Sequence, residues 1–140
     1  YPLFAFYQQL AEVLSHKAAL GKKAWTAYQA HDRDSLAAVL EDIHRLKPAL
    51  EMLHERHREV WFQWNKPFGW EILELRYGGL IKRSETSAWR LDQYLKGALN
   101  ELPELEAPRL VFEGPWLLGD DMVGRNLFHG IYSASKLSDV

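Results

Sequence analysis

Between Leu36 and Trp64 the seam positions advance alternately by three and four residues: Leu36, Val39, Ile43, Leu46, Leu50, Leu53, His57, Val60 and Trp64. A sustained 3.5-residue repeat predicts a helix whose seam faces other helices. Asp32 or Asp34 supplies a carboxylate for the free N–H groups of its first turn. Pro48 falls inside the repeat. It removes one backbone donor and predicts a kink, not an end, because the seam continues in register beyond it.

An earlier helix is predicted from about Leu3 to Ala30. Leu10, Val13, Leu20 and Ala24 form one stripe; Leu14, Ala18, Gly21, Trp25 and Tyr28 form a second beside it. Two adjacent stripes suit a helix that touches two neighbours. Gly21 weakens the helix and allows a partner to approach closely. Residues 31–34, a short polar turn, make the first two helices antiparallel. A third helix is predicted from about Gly69 to Lys96, with its seam at Trp70, Leu73, Tyr77, Leu80, Ser84, Ala88, Leu91 and Leu95. Pro67 disfavours helix at Lys66, and Gly97 is placed to end the third helix in the left-handed conformation.

From Asn100 the pattern changes. Pro103 and Pro108 bracket an acidic connector, and Arg109–Phe112 and Leu127–Ser133 read as short strands separated by turn residues. The predicted fold class is mainly α: an elongated antiparallel three-helix bundle over residues 1–99. Residues 100–140 would form a connector and a short C-terminal β-ribbon, packed on the bundle or on a domain outside this chain.

Composition narrows the function classes. The 140 residues carry a net charge of −2, which disfavours a phosphate-neutralising surface and hence nucleic acid. No apolar stretch reaches the length of a membrane span, and no signal-peptide pattern opens the chain. The sequence has no cysteine, which excludes a disulfide scaffold and leaves the cytoplasm as the default compartment. It opens on Tyr1, not Met, and reads as a piece of something larger. Six tryptophans are unusual in a chain of this length; such a load suits a tight core, an interface or a sugar-stacking surface.

Few constellations offer chemistry. Glu51 and His54 share one helical turn at the Glu-x-x-His spacing of di-iron bundles, yet no second such pair occurs on the other helices. His54 and His57 fall one residue short of a zinc-protease motif, so no metal ligand is assigned and His57 is expected as a seam residue. There is no nucleophile elbow and no glycine-rich phosphate loop, so no catalytic or cofactor-binding residue is assigned either. Gly78 and Gly79 are read as sites of close packing. The aromatic segment from Trp61 to Glu71 is the candidate interface, built from Trp64, Asn65, Lys66, Phe68, Trp70 and Glu71 with Arg76 and Tyr77 nearby. Its rings either cap the bundle or dock a domain, a subunit or a sugar.

Three stretches carry a resemblance: Asn65–Glu71, Leu75–Ile81 and Trp89–Gly97. They resemble the C-terminal helical region of bacterial family-20 glycoside hydrolases, which are β-N-acetylhexosaminidases. The similarity runs on through Pro103–Glu106 to Leu110 and loosely back along the helix ending at Trp64. The resemblance implies substrate-assisted catalysis by an Asp-Glu dipeptide on a separate (β/α)₈ barrel. No Asp-Glu dipeptide occurs in this sequence, so no catalytic residue carries over. What it implies here is a non-catalytic accessory domain whose partners are the parent barrel and a second copy of itself. The residues alone leave two rivals open: a self-standing helical interaction module, and a carbohydrate-binding module that stacks sugar on the tip.

Overall fold

A computed structural model describes residues 1–107. Over them the chain is mainly helical: α1 (Pro2–Lys17), α2 (Leu20–Gln29), α3 (Arg33–Trp64), α4 (Trp70–Leu95) and α5 (Pro103–Glu106). Residues 1–106 form one compact unit, and residues 107–140 are a second. The two strands expected at 109–112 and 127–133 lie outside the described residues, among which no strand occurs.

The long central helix forms as its periodicity predicts. Asp32 caps it: one carboxylate oxygen accepts from the Ser35 N–H at 3.0 Å, the other from the Ser35 hydroxyl at 2.6 Å. At 32 residues α3 is about 48 Å long. It runs unbroken across Pro48, which is solvent-exposed, so water can take the carbonyl that the missing N–H leaves unbonded. Its seam is buried from Leu36 to Leu53 and thins beyond, with His57 and Val60 half-buried and Trp64 exposed.

Where one helix was expected from Leu3 to Ala30, the structure has two. The break falls at Ala18 and Ala19, the latter with φ −101° and ψ −2°. It lets each half settle on a different part of α3. Val13 of α1 joins Leu46, Ala49, Leu50 and Leu53 in one core cluster. Ala27 and Tyr28 of α2 join Leu36, Val39 and Ile43 of α3 with Ala88 and Leu91 of α4 in another. Leu20, just past the break, packs against both clusters.

Side-chain pairs give the directions. Phe6 meets His57 (ring centroids 4.8 Å apart), Gln9 donates to the Ala49 carbonyl, and Lys23 pairs with Asp42 at 3.0 Å. Rising numbers on α1–α2 thus meet falling numbers on α3, and the two are antiparallel. On the other flank His57 meets Tyr77 and Lys47 pairs with Glu85 at 2.7 Å, so α4 is antiparallel to α3 as well. The α4 seam follows its expected register. The buried Ser84 hydroxyl is satisfied by the Ile81 carbonyl at 2.7 Å.

Both turn-forming ends use left-handed residues. Gly97 (φ +76°) donates to Tyr94, and Ala98 to Gln93, closing α4 in a Schellman motif. His31 (φ +53°) does the same for α2, with Asp32 donating to Ala27. Beyond Gly97 the acidic connector is a short helix, not an extended linker. Buried Leu102 inserts into the α2–α3–α4 cluster, and Arg90 clamps Glu104 with two bonds of 2.8 and 2.9 Å. No helix among the described residues is long and apolar enough to cross a membrane.

Candidate interaction surface

The α3–α4 connection brings the aromatic segment to one end of the unit. Gly69 takes φ +94°, a conformation costly for any residue with a Cβ, and turns the chain into α4. The Trp61 ring lies beneath it, 3.7 Å from where a Cβ would stand. Trp61 is fixed in turn by donating its indole N–H to the Lys66 carbonyl at 3.0 Å. The Glu71 carboxylate reaches back and accepts from the Gly69 N–H at 2.8 Å, placing negative charge at the start of α4.

Inside the tip is a nest of rings around Trp70, which is only 4% exposed. His54 stacks on it at 5.4 Å, His57 meets it edge-on at 5.5 Å, and Trp61 and Phe62 each lie 5.8 Å away. The Trp70 indole donates to Glu74 at 3.0 Å, so its polar edge is satisfied. His57 Nδ1 lies 3.0 Å from the Tyr77 hydroxyl. A neutral ring protonated on Nε2 accepts that hydroxyl's proton.

The structure therefore divides the eight candidate residues. Trp64 and Phe68 are 78% and 82% exposed. Asn65, Lys66 and Arg76 are exposed beside them, as is Glu71, whose carboxylate is engaged as a cap. Trp70 and half-buried Tyr77 face inward and hold the tip together; Trp70 falls in the α4 seam register, and that register wins. Two further surface residues carried a signal in the sequence. Ile72 and Leu75 are apolar yet sit off the α4 seam, and both are exposed. They extend the apolar tip, where Phe68 is also exposed, along the outer side of α4. Gly78 and Gly79 continue this side, and a Cβ built on either meets nothing within 4 Å. Close packing among the described residues is thus not what these two glycines serve.

Residues 1–122 match a family model described as the Glycoside Hydrolase 20C C-terminal domain, which spans most of the chain. The chain belongs to that family. No curated protein matches it. The five helices among the described residues, and the three stretches that carry the resemblance, lie inside the matched span of this glycoside hydrolase 20C C-terminal domain.

Among the described residues of this family-20C domain, many acids are committed to structure. Asp32 caps α3, Asp42 pairs with Lys23, Glu104 with Arg90, and Glu106 accepts from Tyr28. Lys47 and Lys82 hold Glu85 down to about 2. Among the described residues no three His, Asp or Glu side chains gather in a metal-binding group.

His57 gives the tip a pH dependence. Burial, with His54 beside it, holds its imidazole below the ordinary value near 6.5. The fold thus favours the neutral ring, and its contribution is fully present above the unfolded value. As pH falls below about 6.5 the unfolded chain takes up the proton first, and stability is lost until the folded value is passed. Thermal melts should show a lower midpoint at pH 5 than at pH 7.5. His57→Phe should flatten that difference, and an unchanged difference would remove His57 as its source.

Proposed function

We propose that this chain is a non-catalytic accessory domain of a β-N-acetylhexosaminidase, seated on the enzyme's (β/α)₈ catalytic domain through the aromatic tip and in contact with a second copy of itself. One observation carries the reading: within a family named for a C-terminal domain of a glycoside hydrolase, α4 is apolar on both sides of its first turns. Its inner side holds Trp70, Leu73 and Tyr77; its outer side offers Ile72 and Leu75 beside Phe68 and Trp64. A helix apolar on opposite sides suits a place between two layers. The barrel's outer ring of helices would supply the second layer. Carbohydrate chemistry would belong to the barrel and its own carboxylates.

The test is Phe68→Ala with Leu75→Ala in the full-length enzyme. Large apolar residues central to an interface each contribute on the order of 2 kcal/mol or more. The double variant should let limited proteolysis separate this domain from the barrel, while circular dichroism of the 140-residue chain stays unchanged. Intact docking in the variant, or a melted chain, would refute the tip as the seat.

A further inference from the structure

We infer that the hollow between α3 and α4, walled by Trp89, is a binding site for a β-linked, gluco-configured oligosaccharide. It uses none of the tip residues, so it stands or falls independently of whether the tip seats the domain.

The hollow follows from the α4 seam. Ser84 and Ala88 are successive seam positions, both buried and both small. They leave space against α3 that two large residues would have closed. With Ile43 of α3 they floor an open groove of about 520 Å³, inside the ~300–1,000 Å³ range of small-molecule sites. Trp89, the next residue on α4, forms one wall. Its side chain is 57% exposed, and no hydrogen bond among the described residues uses its indole N–H. Trp61 and Trp70, by contrast, each donate theirs within the tip. An exposed indole beside a hollow offers a flat apolar surface with a free donor on its edge.

Polar groups complete the rim and select the ligand. One turn before Trp89, Glu85 is held by Lys47 and Lys82 at 2.7 and 2.8 Å. Asp92, three residues after it, is held by Lys96 at 2.7 Å. The lysines fix both carboxylates in place and leave lone pairs on each. Groups set in advance lose little freedom when a ligand arrives. From α3, Lys47 and His44 line the groove with further donors. A pyranose with equatorial substituents has a flat C–H face to lie on an indole and a ring of hydroxyls that both donate and accept. The groove matches both features, with one aromatic wall and acceptors and donors along the rim. Its two carboxylates repel phosphate, sulfate and nucleic acid. Membership in a glycoside hydrolase family puts sugar chains within the domain's reach.

The test titrates the isotope-labelled 140-residue chain with chitotetraose and with cellotetraose, followed by nuclear magnetic resonance. The two sugars share the β-linked gluco ring and differ in the acetamido group. The Trp89 indole N–H, assigned as the signal missing from Trp89→Ala, should shift and saturate with at least one of them. Saturation by both means that the ring alone is read; saturation by one means that the acetamido group is required or excluded. Trp89→Ala should weaken binding at least ~10-fold and Asp92→Ala about 5-fold, with helical ellipticity unchanged. Should Trp89→Ala lose ellipticity, Asp92→Ala alone decides. No saturating shift with either sugar overturns the inference, as does an affinity that both variants leave unchanged. Shifts centred on the Trp64 indole that survive Trp89→Ala place the sugar on the tip and overturn this groove.

Discussion

Leu50→Ala should lower the unfolding free energy of this chain by about 3 kcal/mol, within the range of ~2–5 kcal/mol seen for large-to-small changes in tight cores. Leu50 is one of the two largest fully buried side chains and sits mid-way along α3. There Val13 of α1 and Leu46, Ala49 and Leu53 of α3 surround it, with Tyr77, Leu80 and Ile81 of α4 packed against the same cluster. Three helices meet at this level, so none can move in to fill the space without leaving another contact. The loss therefore combines lost transfer energy with a cavity that stays open. Against a total stability typical of single domains, ~5–15 kcal/mol, that is a large share. Urea titration followed by helical ellipticity measures it. Met52→Ala, on the same helix but partly exposed, should cost under ~1 kcal/mol and serves as the control. Equal losses for the two would mean that Leu50 does not organise the core.

Tyr28→Phe should cost about 1–3 kcal/mol while changing almost nothing in volume. The Tyr28 hydroxyl donates to the Glu106 carboxylate at 2.6 Å and accepts from the Leu102 N–H at 3.0 Å. Those bonds, with buried Leu102, hold the residues after α4 against α2. The bond to Glu106 also raises the phenol's own pKa. Without the hydroxyl, the Leu102 N–H is buried with no acceptor, and this orphaned donor sets the size of the loss. Amide exchange should reveal the locality: Leu102 and Leu105 should exchange much faster, while α3 amides keep their protection. Glu106→Gln, which leaves the Leu102 bond intact, should cost less than Tyr28→Phe. The reverse order would show that the carboxylate, not the buried amide, anchors the segment.

The helices at Arg33–Trp64 and Trp70–Leu95 were legible because each repeats its seam over many turns and carries its own start and stop residues. The break in the first predicted helix was not, since Ala18 and Ala19 are as helical as any residues by propensity. It arises because α1 and α2 each gain by meeting a different core cluster on α3, a tertiary effect with no local mark. Helix α5 was hidden for another reason: Pro103 and the acids after it look like a linker unless Leu102 is known to be buried. At the tip the density of rings was plain, but which rings face outward was half legible. Trp70 sits in the α4 seam register and could have been read as core. Phe68 precedes the helix, where no periodicity assigns a side. The outer residues Ile72 and Leu75 were readable as apolar positions off the seam.

The arrangement around α3 also has a kinetic consequence. Helices α2 and α3 are joined by a turn at residues 30–32, and α3 and α4 by one at 65–69, so each pair is a hairpin sharing one strand of helix. Most of the core can therefore close through short loops between neighbours in sequence, and such chains cross their folding barrier quickly. The Tyr28–Glu106 contact spans 78 residues and can close only after both hairpins have formed. The segment Leu102–Glu106 should thus be the last part of residues 1–106 to lock on folding and the first to release when this unit opens.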